Sequence, residues 1–169
     1  MTDMTAMTPH DPTLELTEVT HLPVGFAFAG IHAGIKRNRR DLGLILCPGG
    51  AVAASCVTRN PVRAACVDRT ATLLPARDIK AVVVNSGNAN AMTGAPGVAA
   101  NARMASTIAE AIGCAPDRVL TCSTGVIGVL LDTTPIATAA PALVASAGGL
   151  FPREVRATAK LTHWNTVEI

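Results

Sequence analysis

At 169 residues the chain has the size of one domain, or of part of one. Its 49% hydrophobic content can fill a sizeable core, and with aromatics at only 2% that core has to be close-packed and rich in methyl groups. A net charge of +2 without a concentrated basic stripe argues against a nucleic-acid surface, and no apolar run is long enough to span a membrane.

In chain order, Met1 to Thr17 is polar, with scattered Thr and Pro and no period, and reads as a flexible lead-in. The remainder, 18–169, reads as a single α/β domain. Val24 to Ile35 alternates loosely among glycines, as a twisted strand does, and Leu42 to Cys47 reads as its hairpin partner. The basic cluster Lys36-Arg37-Asn38-Arg39-Arg40 between them reads as a solvated hairpin turn. Pro48-Gly49-Gly50 is expected to be a turn, Ala51 to Thr58 a third strand, and Ala64 to Val67 a fourth.

After a polar loop around Pro75, the run Ala81-Val82-Val83-Val84 reads as a buried strand. A helix is expected over Val98 to Ile112, with Val98, Ala102, Ala105, Ala109 and Ile112 as its apolar stripe and Gly113 ending it. Val119 to Cys122 returns as a strand. Thr134-Pro135 is a cap followed by a first-turn proline, so another helix should start there, and Gly148-Gly149 should close it. Phe151-Pro152 can open a last helix. Several strands followed by alternating helix and strand predict an α/β or α+β fold.

Five cysteines, at 47, 56, 66, 114 and 122, form no CxxC pair. Neither a disulfide framework nor a zinc site is indicated, and no cofactor or metal is expected. Cys47, Cys56 and Cys66 lie among small apolar residues and read as buried thiols. Cys122 sits beside a Thr-Gly pair, which invites a reactive-thiol reading, but no histidine lies near it in sequence to activate it. The N-terminus lacks an apolar signal segment, which predicts a soluble, reducing, cytoplasmic setting.

Two stretches carry chemistry. Thr121-Cys122-Ser123-Thr124-Gly125-Val126-Ile127-Gly128 follows a short apolar run, and Gly125 permits a ligand to approach the backbone closely. Exposed N–H groups there suit a phosphate or the oxyanion of acyl transfer, although a Thr-Gly pair after a strand is more commonly an ordinary turn. The second stretch is Asn85-Ser86-Gly87-Asn88-Ala89-Asn90-Ala91-Met92-Thr93-Gly94, directly after the valine run. Its amides can either bind substrate or hold the loop by bonding its own backbone.

Together the motifs V-N-S-G-N-A-N-A-x-T-G and S-T-G-V-I-G resemble the ornithine acetyltransferase family, the bifunctional glutamate N-acetyltransferases of arginine biosynthesis. Gly25-Phe26, Ala29-Gly30-Ile31, Ala33-Gly34-Ile35-Lys36, Arg40-Asp41-Leu42, Val57-Thr58 with Asn60, Ala64-Ala65 and Val67 agree in the same order, so the likeness covers roughly residues 22 to 150. The resemblance implies a layered α+β sandwich of the ornithine acetyltransferase and β-aminopeptidase type, of which this chain is the N-terminal portion. It implies a heterotetrameric α2β2 enzyme whose precursor cuts itself, exposing a threonine nucleophile as the first residue of the β chain. An acetyl group then passes from N-acetylornithine to glutamate through an acyl-threonine intermediate, so the ligands are small amino acids. The family's oxyanion hole carries over to Thr124 and Gly125 by motif match.

The family has a cysteine where this chain has Met92. Past Gly149 the likeness fades: the family's A-I-M-T-T-D-T segment gives way to Lys160-Leu161-Thr162-His163-Trp164-Asn165-Thr166. Thr162 is the candidate for substrate binding there, with Thr166 as a second counterpart, while the aspartate of the motif is missing. The nucleophile itself is expected on a separate or missing chain. His163 beside Trp164 invites a catalytic reading but is more commonly a packing feature. Two other readings stay open: a relative acting on another amide substrate, and a nucleotide-binding or structural domain with Ser123 to Gly128 as a phosphate nest. The last lacks both a G-x-G-x-x-G fingerprint and a P-loop lysine.

Overall fold

The computed structural model describes residues 23–147, so the lead-in 1–17, the expected helix from Phe151, and Thr162, His163, Trp164 and Thr166 lie outside the described residues. The fold is mixed α+β. One four-stranded sheet runs in the order β1 (Ala27–Ile31), β2 (Leu42–Ala53), β3 (Ala76–Asn88), β4 (Val119–Val126). The first two junctions are antiparallel and the β3–β4 junction is parallel. A parallel neighbour needs a crossover, and α2 (Gly94–Ile112) supplies it. The other helices are α1 (Ala65–Leu73) before β3 and α3 (Thr134–Ser146) after β4.

Alternation along the strands sorts side chains between two faces. The rung Ala29–Leu44–Val83–Thr121 and its neighbour Ile31–Leu42–Asn85–Ser123 belong to the inner face. Against it pack Ala100, Met104, Ala105, Ile108 and Ala109 of α2 and Ile136, Ala140 and Leu143 of α3. Val83, Met104, Ile108 and Leu143 are fully buried, each contributing about 1.5–3 kcal/mol. The opposite rungs, Phe28–Ile45–Val82–Leu120 and Gly30–Gly43–Val84–Cys122, form the outer face. Phe28, Ile45, Val82 and Val84 are only half-buried there, while α1 packs against β4 and α2.

Several expectations need correction. Pro48-Gly49-Gly50 is no turn: β2 runs through it with a register shift between Leu46 and Ala51, and Gly50 at φ +81 bends the strand as a bulge. Ala51 to Ala53 therefore extends β2, and the expected strand to Thr58 does not form. Cys56 leaves the sheet with that segment and is exposed, whereas Cys47 and Cys66 are buried as expected. Ala64 to Val67 opens helix α1, whose Arg63 Nε–Asp68 Oδ1 pair (2.7 Å) and buried Cys66 fix it. Strands β3 and β4 are longer than the apolar runs at Ala81–Val84 and Val119–Cys122, because Ser, Thr and Gly continue the pairing.

Helix α2 ends as expected at Gly113, left-handed at φ +72, with Cys114 N–H donating to Ala109 O (2.9 Å). Its buried face, however, is Gly97, Ala100, Asn101, Met104, Ala105, Ile108 and Ala109; Val98 and Ala102 are exposed. Helix α3 starts where Thr134-Pro135 indicated, with Asp132 Oδ1 accepting the Thr134 N–H (2.9 Å), and it continues through Pro141.

Candidate active site

The parallel strands β3 and β4 place the two motifs side by side. Near their ends they pair Asn85 with Ser123, Ser86 with Thr124 and Gly87 with Gly125, and a register shift at Asn88 then carries the pairing on to Val126. Thr124 is half-buried, and its hydroxyl makes no hydrogen bond among the described residues. Gly125 is exposed at φ +133, and a Cβ added to it would stand 2.5 Å from Asn88 N and 2.6 Å from Gly87 O. The requirement for glycine is thus steric on one side and conformational on the other. A free hydroxyl next to a bare backbone at the carboxyl ends of parallel strands is an arrangement that can hold a small oxygen anion.

The asparagine loop follows the second of its two readings. Asn85 Nδ2 donates to Asn88 O (2.8 Å), and Asn88 Nδ2 reaches Val129 O (3.0 Å) and Leu130 O (3.2 Å). Asn88 Oδ1 accepts the Asn90 N–H (2.7 Å), and Asn90 Nδ2 donates to Gly97 O (2.8 Å) at the start of α2. All three asparagines are buried. Their amides tie the turn after β3 to the segment after β4 and to α2, so they hold the walls of the site. Asn85 Oδ1 and Ser123 Oγ, on the inner face, are buried without a partner among the described residues.

The basic cluster is less solvated than its composition indicates. Arg37 and Arg39 are exposed, but Lys36 is half-buried and its Nζ donates to Ser86 Oγ at 2.5 Å. Buried Asp41 shapes the loop that carries it. The carboxylate accepts N–H groups from Ala33 (2.6 Å), Gly34 (3.2 Å) and Lys36 (2.7 Å). His32 Nδ1 faces Arg39 O (2.9 Å) and Asp41 Oδ2 (3.3 Å), two acceptors, so that nitrogen carries the hydrogen. The only signal for Lys36 in the sequence is its place in the A-G-I-K motif, since its partner lies 50 positions away.

Cys122 lies on the outer face, exposed yet crowded by surrounding protein. Desolvation of a thiolate there, aided by the neighbouring Cys66 thiol, pushes it up to about 11. Thiolate is therefore scarce at neutral pH, which removes Cys122 as a nucleophile. Alkylation of Cys122 by iodoacetamide, followed by peptide mass spectrometry, should keep accelerating toward pH 11. A rate that levels off near pH 9 would contradict this account.

Among the described residues, no cluster of three or more His, Cys, Asp or Glu side chains is placed to hold a metal, and no helix is long and apolar enough to cross a membrane.

Residues 27–164 match the ArgJ family, further than the motif resemblance reached. The chain is 44% identical over 128 residues to the arginine biosynthesis bifunctional protein ArgJ of Chlorobaculum tepidum, covering 75% of this chain and 32% of that protein. It is 41% identical over 146 residues to ArgJ of Parasynechococcus marenigrum, covering 83% and 35%. The chain thus spans about a third of the length of these curated relatives. Two crystal structures share the fold. One is ornithine acetyltransferase from Mycobacterium tuberculosis complexed with ornithine (TM-score 0.72, 36% identity, 76% of this chain and 70% of that chain). The other is ArgJ from Bacillus halodurans (TM-score 0.66, 38% identity, 70% and 62%).

Proposed function

The chain belongs to the ArgJ family, and from that premise we propose that it is the N-terminal, α-subunit-like part of an acetyltransferase of arginine biosynthesis. In this reading a threonine nucleophile on a separate chain attacks the acetyl carbonyl of N-acetylornithine. The carbonyl oxygen becomes a tetrahedral oxyanion, which takes hydrogen bonds from the Thr124 hydroxyl and the Gly125 N–H. Ornithine leaves as the amine, and glutamate's amine then attacks the acyl-threonine ester to give N-acetylglutamate and regenerate the hydroxyl. The observation that carries the reading is the unpaired Thr124 hydroxyl beside Gly125 at the ends of β3 and β4. The nucleotide-nest reading is weaker, because the chain carries neither a G-x-G-x-x-G fingerprint nor a P-loop lysine beside Ser123 to Gly128.

The test is transfer of isotope-labelled acetyl from N-acetylornithine to glutamate, using the full assembly that contains this chain. Labelled N-acetylglutamate is expected; its absence, with labelled ornithine-side substrate intact, sinks the reading.

The outer sheet face supports a β-chain partner. Phe28, Ile45, Val82 and Val84 are half-buried on that face, and Val126 at the end of β4 and Ile127, Val129 and Leu130 in the segment after it are exposed, apolar surface of a kind that usually meets another surface. Produced alone, the chain should bind a hydrophobic dye and self-associate. Co-expressed with a nucleophile-bearing chain, it should lose dye binding and elute as one complex of α2β2 composition. A dye-negative monomer, fully active by itself, would refute the partnership.

A further inference from the structure

We propose that Ser86 is a further hydrogen-bond donor at the anion site of Thr124 and Gly125, and that Lys36 is the positioning residue that orients and polarises it. The proposal rests on the reading of that site as an oxyanion hole, and it adds a charge to it. Ser86 and Thr124 occupy one rung of β3 and β4, so their backbones lie about 4.8 Å apart. Alternation from Val84 and Cys122 directs both side chains to the outer face. An oxygen held by Thr124 is therefore within the span of a serine hydroxyl on the neighbouring strand.

Lys36 Nζ donates to Ser86 Oγ at 2.5 Å. That bond occupies an acceptor lone pair of the hydroxyl and leaves its own hydrogen to point elsewhere. Among the described residues nothing accepts that hydrogen. An ammonium on the oxygen draws electron density from the O–H and makes it a stronger donor toward an anion. The serine thus relays positive charge to the place where negative charge would develop, while the lysine stays one atom removed.

The lysine is held there by construction. Asp41 gathers the N–H groups of Ala33, Gly34 and Lys36, and its own carbonyl accepts the Ser86 N–H at 2.8 Å, so one residue fixes both partners. Gly87, at φ +117, lets the lysine stem lie across β3: a Cβ there would come within 3.1 Å of Lys36 Cγ and Ile35 Cγ2. The ligand class is a small oxygen anion, a carboxylate in the ground state or the alkoxide of a tetrahedral intermediate.

The test uses Ser86→Ala, Lys36→Met, the double variant and Lys36→Arg in the full assembly, with kcat, KM, thermal midpoint and calorimetric binding of acetate. Each single neutral variant should lower kcat by about tenfold or more, with KM changing less than about threefold. The double variant should be no worse than the poorer single one, because the two side chains act as a unit. Lys36→Arg should recover part of the loss. A mere clasp between loop and strand predicts lower thermal midpoints with unchanged kcat, and that result overturns the proposal. If wild-type protein transfers no acetyl group, acetate binding decides. Binding weakened in both single variants leaves the charged anion site standing and removes only the acetyl-transfer reading; equal or undetectable binding in all of them overturns the proposal.

Discussion

Gly125→Ala is expected to abolish activity and to destabilise the fold at the same time. The new Cβ would fall on the Gly87–Asn88 peptide, 2.5 Å from Asn88 N and 2.6 Å from Gly87 O, and the carbonyl carbon of Gly87 is also in its way. These are backbone atoms, so no rotamer change relieves the clash. Two costs add. Holding a residue with a Cβ at φ +133 costs about 1–3 kcal/mol, and forcing strands β3 and β4 apart costs about another 1–3 kcal/mol. Separation of the strands also removes the Gly125 N–H from the position beside Thr124. Acetyl transfer by the assembly should fall below detection, with a drop in thermal midpoint of several degrees. Gly113→Ala provides the comparison. Gly113 is also left-handed, at φ +72, but a Cβ there meets nothing within 4 Å, so it should cost stability and leave kcat alone. An active, stable Gly125→Ala protein would mean that β3 and β4 do not meet in this way.

Thr124→Ala separates chemistry from folding. Its hydroxyl has no partner among the described residues, so its removal leaves no buried group unsatisfied and should change stability by no more than about 0.5 kcal/mol. If the hydroxyl donates to the tetrahedral oxygen, kcat should fall by about 10²–10³. Binding of N-acetylornithine should change less, because full negative charge on oxygen exists only in the transition state. Thr124→Ser retains the hydroxyl and should retain most of the rate. Steady-state kinetics and thermal midpoints of the three proteins decide the matter. A normal kcat in the alanine variant would take Thr124 out of the site and leave Gly125 and Ser86 as the remaining donors on this chain.

The two predictions differ in what the sequence could disclose. Thr124-Gly125 and the asparagine loop are contiguous motifs, and each comes shortly after a run that reads as a strand. Their order along the chain carried the family resemblance, but only the parallel pairing of β3 with β4 sets them side by side. The role of the loop is set by tertiary contacts: an amide that binds substrate and one that bonds Val129 O look alike in a sequence. Lys36 was hidden for a related reason, since a lysine among arginines looks solvated until its partner at Ser86 is seen.

By itself, the sequence determined the features whose causes are local. The Ala-Val-Val-Val run makes a strand because β-branched side chains fit a pleated surface, Gly113 ends α2 because it tolerates φ > 0, and Thr134-Pro135 starts α3 because proline suits a first turn. The tertiary structure decided the rest wherever local preference was nearly balanced. Ala64 to Val67 fits strand and helix alike, and burial of Cys66 with the Arg63–Asp68 pair selects the helix. Pro48-Gly49-Gly50 carries turn residues, but the pairing of Ala51 with Ile79 beyond it keeps the chain in the sheet as a bulge. In α2, alanines lie on every side, so no stripe stands out from composition. The larger Met104 and Ile108 gain most by facing the sheet, and the helix turns them inward, leaving Val98 and Ala102 to solvent.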